Sequence, residues 1–577
     1  MTRLAFPALV DGWFDGASRR TREGVVARIC LLLAPLFAVS VGGLLRAFQL
    51  NDPSLWFDEG FTAWIVSLPT GEMLRAIASD TSPPGYYLLL KVWTIPFGTS
   101  EAGLRGLSVA CGMGTVALTW TLARRVVGHS RAANVAAWLS AGSFLLVMQS
   151  RDARFYSLLG LLVLAALIAL HAMMTTCGWR SVICFSSFTT FALYTHNIAL
   201  PYWVMMQLLA VLIPSLLPWK RRLFRLGTSN LLILILYLPW LPTFLSQLLR
   251  VQGGFWASVP TPTDFCRVLG LVAGVNMYDA RHAIARLGMS PISPADVLLA
   301  TTLALVGGAV LGIRAFRAPG PNRGAVGNDH PSDAPALMVR RPSEDTSPGR
   351  SMLCWWVFVA ATITAVYVYS HVSTPIFMER IFTPLCGVVA VAMSAPLASS
   401  SRWIRQAGWG MVGLLLILST TSTCWRITHD TREDWREAVA FAQSRATEDS
   451  LVVFYANEGE LLYDFYRKRA QSNMPRLTGV PVRFHHGNPP RAMLRLTGQN
   501  DFVELDNALT RRPLDRVTLF LSHGRPADQL IVMRYLLGKC HPEGVFRFDG
   551  ITLYDFSPLP PTAMQPVTEA TLHKGPD

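Results

Sequence analysis

Three carboxylates stand in one stretch between two long apolar segments, flanked by aromatic side chains. Asp58 and Glu59 are adjacent in SLWFDEGF, and Asp80 precedes paired prolines in SDTSPPGYY. A carboxylate that is partly desolvated at a membrane interface can take the proton of an attacking hydroxyl group. A neighbouring acid can raise the pKa of that base or help to hold the acceptor. The pattern therefore predicts catalytic roles for Asp58, Glu59 and Asp80, with one of them acting as a general base.

Both acidic positions also have a purely structural interpretation. Asp58 could be the N-cap of a helix that runs through Leu68. Asp80 could be a turn-forming residue, since Pro83 and Pro84 end any helix that precedes them. These alternatives stay open at the level of the sequence.

Cations and hydroxyl groups recur at the ends of the apolar segments that lie on the same side as the acids. A single arginine at a span end commonly snorkels to the interface. Several that converge on one face indicate an anion, and guanidinium groups suit bidentate phosphate contacts. The predicted phosphate-binding and donor-binding residues are Lys91, Arg151, Arg154, Tyr156, Tyr87, His196 and Arg380.

An acidic loop combined with a basic pocket on one membrane face indicates a particular reaction. A lipid-linked phosphate would leave, a base would activate an acceptor hydroxyl, and Arg and Lys would stabilise the charge on the departing phosphate. The chain has no P-loop, no GxGxxG that opens a helix and no HExxH. A nucleotide-driven reaction is therefore unsupported.

The composition indicates a polytopic membrane protein. The 577 residues are 51% apolar and only 15% charged, whereas soluble domains carry about 25% charged residues. The net charge of +14 comes from basic clusters between apolar runs, which is a topology signal and not a sign of nucleic-acid binding. The nine cysteines include no CxxC pair and predict neither a zinc site nor a disulfide framework.

The apolar runs predict eleven membrane spans, with the N-terminus in the cytoplasm because the loops then assigned to that side are all basic. The segment Tyr86–Phe97 is too short for a straight span, so we interpret it as a juxtamembrane or re-entrant helix. If it crosses, the later loops invert and the charge rule fails. The predicted spans lie near 29–48, 104–122, 133–149, 157–174, 181–199, 201–218, 228–249, 296–313, 352–370, 381–398 and 407–424.

The predicted fold class is a mainly α polytopic membrane bundle with a small C-terminal α/β domain outside the cytoplasm. Helical patterns at Thr431–Ala446, Glu458–Ala470 and Asp528–Leu537 alternate with β-rich runs at Leu451–Tyr455 and Val517–Leu521. The predicted organisation is a cytoplasmic N-terminus at 1–28, a membrane domain at 29–427 with its catalytic outer loop at 49–101 and a disordered loop at 318–350, and the outer domain at 428–577 with a terminal tail.

Four short motifs in order resemble the bacterial GT-C glycosyltransferases, which are similar to protein O-mannosyltransferases and to the aminoarabinose transferase of lipid A. They are WFDEGFTAW, SDTSPPGYYLLLKVW, FGTSEAGLRGLSVACG and SRDARFYSLLGLL, with weaker continuations in YTHN and ERIFTPL. The resemblance places the catalytic acids on Asp58, Glu59 and Asp80, and the later motif on Arg154 and Tyr156.

The resemblance implies a hexosyl- or pentosyltransferase in the bacterial inner membrane. It implies a polyprenyl-phosphate-sugar donor, inversion at the anomeric carbon and a periplasmic active site. The acceptor, which is a lipid, a glycan or a protein, and the sugar stay open. Some relatives bind a divalent metal and others do not, and the sequence leaves metal binding undecided.

Two other functions compete with this one. A transporter or flippase of lipid-linked sugars predicts ionisable residues at mid-bilayer and repeat symmetry, and neither is evident in the sequence. A membrane-anchored assembly factor would leave the acidic loop without a purpose.

Overall fold

A computed structural model of the chain describes most of its length. The described ranges are 19–176, 178–215, 217–252, 257–286, 293–315, 348–430, 432–447, 449–455, 459–469, 478–481, 502–510, 513–522 and 526–560. Most of the predicted cytoplasmic N-terminus, nearly all of the predicted loop at 318–350 and the predicted terminal tail lie outside these ranges.

Helices make up the first three quarters of the chain. In chain order they are α1 (Arg19–Ala47), α2 (Phe57–Ser67), α3 (Thr70–Ser79), α4 (Gly85–Phe97), α5 (Glu101–Val126), α6 (Ser130–Gly142), α7 (Phe144–Ser150), α8 (Tyr156–Thr175), α9 (Arg180–Thr195), α10 (Ala199–Leu212), α11 (Trp219–Tyr237), α12 (Leu241–Gln252), α13 (Pro262–Val272), α14 (Met277–Arg286), α15 (Pro294–Ala315), α16 (Pro348–Val372), α17 (Thr383–Ser394) and α18 (Arg402–Thr428). Short 3-10 helices, Glu379–Phe382 and Ala395–Ala398, flank α17 on either side.

Within the described ranges, six helices are long and apolar enough to cross a membrane, and eight are if each of two bent pairs counts as one span. The predicted run at 133–149 is the pair α6 and α7, bent by 55°, and the run at 228–249 is the pair α11 and α12, bent by 84°. Three further predicted runs fall on α1, α9 and α10, of which α9 has 16 residues and α10 has 14. The protein is a multi-pass membrane protein, and the exact count of eleven spans is not confirmed.

The core of the membrane domain surrounds α8 and α17. In the apolar 18-residue stretch of Glu379–Ala398, 94% is buried inside the protein, and in that of Tyr156–Thr175, 72% is buried. Both helices therefore meet mainly other helices and little lipid. Each begins next to a residue of the predicted site, since Arg380 comes just before α17 and Arg154 just before α8.

The first outer loop folds into three short helices, α2 to α4. The helix α4 has 13 residues, so it is about 20 Å long and shorter than the roughly 30 Å hydrocarbon layer. Tyr86, Tyr87 and Leu90 are buried on one side, while Val92 and Ile95 are exposed on the other. This amphipathic pattern fits the predicted juxtamembrane helix.

The C-terminal region forms a five-stranded mixed sheet with helices. The strand order is β2-β1-β3-β5-β4; β1 pairs in parallel with β2 and β3, whereas β5 is antiparallel to β3 and β4. The elements are α19 (Trp435–Arg445), β1 (Ser450–Tyr455), α20 (Gly459–Arg469), β2 (Thr478–Pro481), α21 (Val503–Thr510), β3 (Arg516–Leu521), α22 (Pro526–Leu537), β4 (Cys540–Phe548) and β5 (Ile551–Pro558). The predicted helix at Thr431–Ala446 is α19, and its predicted apolar face of Trp435, Ala438, Val439 and Ala442 is buried.

Candidate active site

Glu59 fixes the start of α2 in the interior of the protein. Its side chain is fully buried, and Arg105 of α5 holds it through two contacts, Nε to Oε1 at 2.8 Å and Nη2 to Oε2 at 2.6 Å. The backbone N–H of Ala153 donates a third hydrogen bond to Oε1 at 2.8 Å. Burial alone would raise the pKa of Glu59, but Arg105 lowers it below its usual value. Glu59 is therefore an ionised anchor with its acceptor sites occupied by the protein.

Asp58 points to a different side of the same helical turn. Its Oδ2 lies 2.9 Å from Nη1 of Arg380 and 3.8 Å from Nε of Arg154, and its side chain is 23% exposed. The helix begins at Phe57, so Asp58 lies in the first turn and Trp56 is the N-cap. The interpretation of Asp58 as an N-cap is therefore wrong, and Glu59 accepts the hydrogen bond from the Trp56 N–H at 3.4 Å.

Aromatic faces hold the two arginines that meet Asp58. The guanidinium carbon of Arg380 lies 5.5 Å from the ring centre of Tyr156 and 5.7 Å from that of Trp56. The guanidinium carbon of Arg154 lies 4.6 Å from the ring centre of Phe155. Cation–π contacts of this kind orient a guanidinium group without neutralising its charge. Both groups keep their charge available to an anion.

Arg154 also joins the outer-loop helices to each other. Its Nη1 donates to the Asp58 carbonyl at 3.2 Å, to Thr62 Oγ1 at 3.3 Å and to the Tyr87 hydroxyl at 3.5 Å. One nitrogen of Arg154 thereby contacts both Tyr87 of α4 and Asp58 of α2.

Asp80 closes the end of α3 within electrostatic reach of the same cluster. Burial raises the pKa of Asp80, with a smaller opposing effect from Arg154 and a reinforcing one from Asp58. Asp80 is the C-cap residue of α3, so the structural interpretation of this residue also has support. The charges of Arg154 and Asp58 act on Asp80, which is therefore a candidate for a second carboxyl group near the cluster.

A cavity of about 340 Å³ opens beside Arg380. Its polar wall contains Gln149, Asp264, Glu379 and Arg380, and Glu379 is 2.7 Å from Arg267. The rest of the wall is apolar and consists of Phe144, Leu145, Met148, Val268, Phe377 and Met378.

A second cavity of about 210 Å³ is an apolar groove among α13, α15, α16 and α17. The helix α13 contributes to both cavities, with Asp264 and Val268 on the first and Phe265, Leu269 and Val272 on the second. One helix therefore separates a polar cavity at the site from an apolar groove between membrane-capable helices.

Two of the predicted cations do not join this cluster. The Lys91 ammonium donates to the carbonyls of Val66 at 2.9 Å and Leu68 at 2.6 Å, so it caps the C-terminal end of α2. The Arg151 guanidinium is buried and donates to the carbonyl of Arg46, in the last turn of α1, at 3.1 Å. It also donates to the carbonyls of Gln49 at 3.3 Å and of Phe48, which follow α1. Both cations meet carbonyl oxygens at helix ends, where positive charge is favourable.

His196 and Tyr156 belong to the aromatic cluster that packs against the two arginines. The His196 ring centre lies 4.3 Å from that of Phe155 and 5.7 Å from that of Tyr156. His196 Nδ1 accepts a hydrogen bond from the Ile198 N–H at 2.9 Å. The imidazole therefore supports the aromatic wall that orients Arg154 and Arg380.

Sequence reasoning missed Arg105, Arg432 and Asp152. Arg432 follows α18 and bridges Asp152 at 2.8 Å and Asp430 at 2.9 Å. The signal for Arg105 and Asp152 was available, because a charge within an apolar motif requires a partner, and both residues lie in motifs that were singled out. Arg432 lies in the C-terminal region, where no motif pointed to it.

Across the described ranges, no group of three or more His, Cys, Asp or Glu side chains is arranged to hold a metal ion.

The comparisons with known proteins find solved structures that are similar to this chain, and two of them are given below. No family model matches the chain, and no curated protein matches it.

Both solved structures are crystal structures of ArnT from Cupriavidus metallidurans, one in the apo state and one bound to undecaprenyl phosphate. The chain is 15% identical to each, and each comparison covers 90% of this chain and 97% of the ArnT chain, with TM-scores of 0.43 and 0.41 respectively.

Proposed function

We propose that this protein is an inverting glycosyltransferase that moves a sugar from a polyprenyl-phosphate donor to a hydroxyl acceptor. The observation that carries the proposal is Asp58, a partly exposed carboxylate held between Arg380 and Arg154 beside a polar cavity. The Asp58 carboxylate lies 2.9 Å from Arg380 and 3.8 Å from Arg154, so a proton acceptor stands next to two cations. Such a set suits attack by a hydroxyl group on a carbon whose leaving group is a phosphate.

The donor would occupy both cavities. Its polyprenyl chain would lie in the apolar groove among α13, α15, α16 and α17, and its phosphate would meet Arg380 at the edge of the polar cavity. Arg380 is paired with Asp58 at 2.9 Å. A phosphate that competes for this guanidinium group would leave the Asp58 carboxylate accessible to the acceptor.

The reaction would proceed in one displacement. Asp58 takes the proton of the acceptor hydroxyl while the acceptor oxygen forms a bond to the anomeric carbon of the sugar. The bond from that carbon to the phosphate oxygen breaks, and its electron pair stays on the phosphate. Arg380 and Arg154 stabilise the added negative charge, and attack opposite the leaving group inverts the anomeric carbon.

The remaining predicted residues would take supporting roles. Glu59 would anchor the helix that carries Asp58, and Asp80 would hold the acceptor as a second carboxyl group. Tyr87 and Tyr156 would keep the arginines in place, together with His196. We place the reaction on the periplasmic face of the bacterial inner membrane, as the basic loops on the opposite side indicate, with a lipid, a glycan or a protein as acceptor.

Asp58→Asn tests the proposal directly. Asparagine keeps the size of the side chain but cannot accept the acceptor proton, and loss of a general base typically lowers kcat by about 10²- to 10⁴-fold. The assay is transfer of radiolabelled sugar from a set of synthetic polyprenyl-phosphate sugars to membrane lipids and glycans of a deletion strain, with the purified protein in nanodiscs.

Asp52→Asn is the matched control, because Asp52 is an exposed acid on the same loop. Its activity should equal that of the wild type. An Asp58→Asn protein with wild-type transfer would refute the role of Asp58. A wild-type protein that moves lipid-linked sugar between leaflets of a vesicle without transferring it would instead identify a flippase.

A further inference from the structure

The C-terminal domain rests on the helix that carries the acids. The helix α20 packs against α2, and the Tyr466 hydroxyl accepts a hydrogen bond from the buried N–H of Leu55 at 2.7 Å. Leu462 of α20 lies against Gly60 so closely that a methyl group on Gly60 would be 2.5 Å from Leu462 Cγ. The first turn of α2 is therefore covered by the C-terminal domain as well as by α5.

A second contact comes from the segment that joins α18 to α19. Arg432 Nη1 lies 2.8 Å from Asp152 Oδ1 and 3.8 Å from Glu59 Oε2, and its Nε lies 2.9 Å from Asp430 Oδ2. Asp152 stands between Arg151 and Arg154 in the chain, so Arg432 holds the short loop that positions Arg154.

A third contact ties the domain to the beginning of α5. Arg436 and Arg469 both bind Glu101, at 2.7 Å and 2.9 Å, and Arg436 also donates to the carbonyls of Asn51 and Asp52. Glu101 opens α5, which carries Arg105, the partner of Glu59. The segment before α2, the loop before α8 and the first turn of α5 thus each receive a polar contact from the C-terminal region.

From these contacts we propose that the C-terminal domain is a positioning device for the active site, with Tyr466 and Arg432 as positioning residues that hold Asp58 and Arg154 in register. Both residues act through other residues, Tyr466 through Leu55 and Arg432 through Asp152 and Glu59, so they are positioning residues and not catalytic residues. Their catalytic consequence rests on the proposed function, because a shift of about 1 Å between a base and its substrate can cost roughly 10²-fold in rate.

The test compares two tyrosines of one helix. Tyr466→Phe removes the hydroxyl that accepts from the Leu55 N–H, while Tyr463→Phe removes a buried hydroxyl that has no hydrogen-bond partner among the described residues. In the full-length protein in nanodiscs, hydrogen exchange of the α2 amides is measured together with kcat and the donor KM. For Tyr466→Phe we expect exchange in α2 to rise by about tenfold, as leaving a buried N–H without an acceptor implies.

We also expect kcat of Tyr466→Phe to fall by roughly tenfold with the donor KM changed less than about threefold, because positioning acts on the transition state more than on donor binding. Tyr463→Phe should resemble the wild type in both measurements. A merely structural role would lower the melting temperature and the folded fraction. The transfer rate would then fall only in proportion to the folded fraction, and α2 exchange in the folded protein would stay unchanged.

Arg432→Met gives an independent test, with Arg445→Met as its control. Arg445 pairs with Asp555 at 3.1 Å and contacts the rings of Phe441 and Phe546, all inside the C-terminal domain. Faster exchange in α2 and in the loop at 151–155 for Arg432→Met alone, with a lower kcat that Arg432→Lys partly restores, would support the proposal.

Unchanged α2 exchange in both Tyr466→Phe and Arg432→Met would overturn it, and so would faster exchange with an unchanged kcat. Failure of the proposed function can be distinguished from failure of this inference. In the first case the wild-type protein would transfer no sugar, whereas the exchange measurements need no substrate and test the inference by themselves.

Discussion

Replacing Glu59 and replacing Asp58 should have opposite consequences, although the two residues are adjacent. Glu59→Gln removes a fully buried charge that Arg105 grips at 2.6 and 2.8 Å, and it leaves the buried guanidinium without its counter-ion. Removing one partner of a buried ion pair costs about 3–5 kcal/mol. Arg105 keeps the carbonyls of Leu50, Pro53 and Ser54 as acceptors, so we expect a loss near the lower end, about 3 kcal/mol.

Asp58→Asn should cost far less stability. Its ion pair with Arg380 is about a quarter exposed on both sides, at 23% each, and solvent-screened pairs contribute about 0–1 kcal/mol. The melting temperature of Asp58→Asn should therefore stay close to the wild-type value, while Glu59→Gln should melt several degrees lower. The transfer rate divided by the folded fraction should be lower for Asp58→Asn than for Glu59→Gln.

The assay is thermal unfolding in nanodiscs, followed by tryptophan fluorescence, with sugar transfer measured at a temperature where both variants are folded. Asp58→Asn is here the control for the charge change, since both substitutions turn one acid of the same helix into its amide. If Glu59→Gln kept wild-type stability and lost transfer as completely as Asp58→Asn, the assignment of Glu59 as an anchor would be wrong.

Two further predictions concern residues near the cluster. Lys91→Met removes the ammonium group that caps the carbonyls of Val66 and Leu68, so it should lower the free energy of unfolding by about 1 kcal/mol. The donor KM should stay within about twofold of the wild-type value. A large rise in KM would instead assign Lys91 to phosphate binding. Burial raises the pKa of Asp152 to about 6, with Arg432 opposing the shift, and the unfolded value is about 3.9. The folded protein then binds the extra proton between these values, so its stability falls as the pH rises from about 4 to about 6. Asp152→Asn should remove this slope in unfolding experiments across that range, and an unchanged slope would contradict it.

The fold was predictable where an element has a strong local pattern. The apolar face of α19 and the apolar strands β1 and β3 could be identified because their residues are buried at helical or strand spacing. The hairpin of β4 and β5 was not predicted. The strand β4 lies at the edge of the sheet with most of its residues exposed, so it lacks the apolar run by which a strand is identified.

The bent pairs show a second limit of the sequence. An apolar run reports only that its residues avoid water, and it contains no information on a bend between two helices. The runs at 133–149 and 228–249 therefore read as straight spans, although their helices turn by 55° and 84°.

The sequence indicates candidate residues for the site, but it contains no information on the contacts between them. Asp58 and Arg380 are 322 residues apart, so no spacing rule could pair them. Arg151 and Arg154 lie close together between α7 and α8, and Lys91 lies within α4. Only the folded chain decides which of these cations meets carbonyl oxygens and which meets a carboxylate. The choice depends on which helix termini lie within reach of each side chain, and that is a property of the tertiary fold.

The division of work between Asp58 and Glu59 follows from helix geometry. Successive residues of an α-helix point about 100° apart, so two adjacent acids in the first turn of α2 cannot both face the same environment. Because α5 and α20 cover one side of this turn, the acid on that side requires a buried counter-ion, and Arg105 supplies it. The other acid is left next to the arginines that precede α8 and α17, and one of these, Arg380, lines the polar cavity. An acidic pair at the start of a helix that is covered on one side thus yields an anchor and a proton acceptor at once, and exchanging the two residues in an Asp58→Glu, Glu59→Asp double variant should damage both properties, because neither new side chain has the length that its partners require.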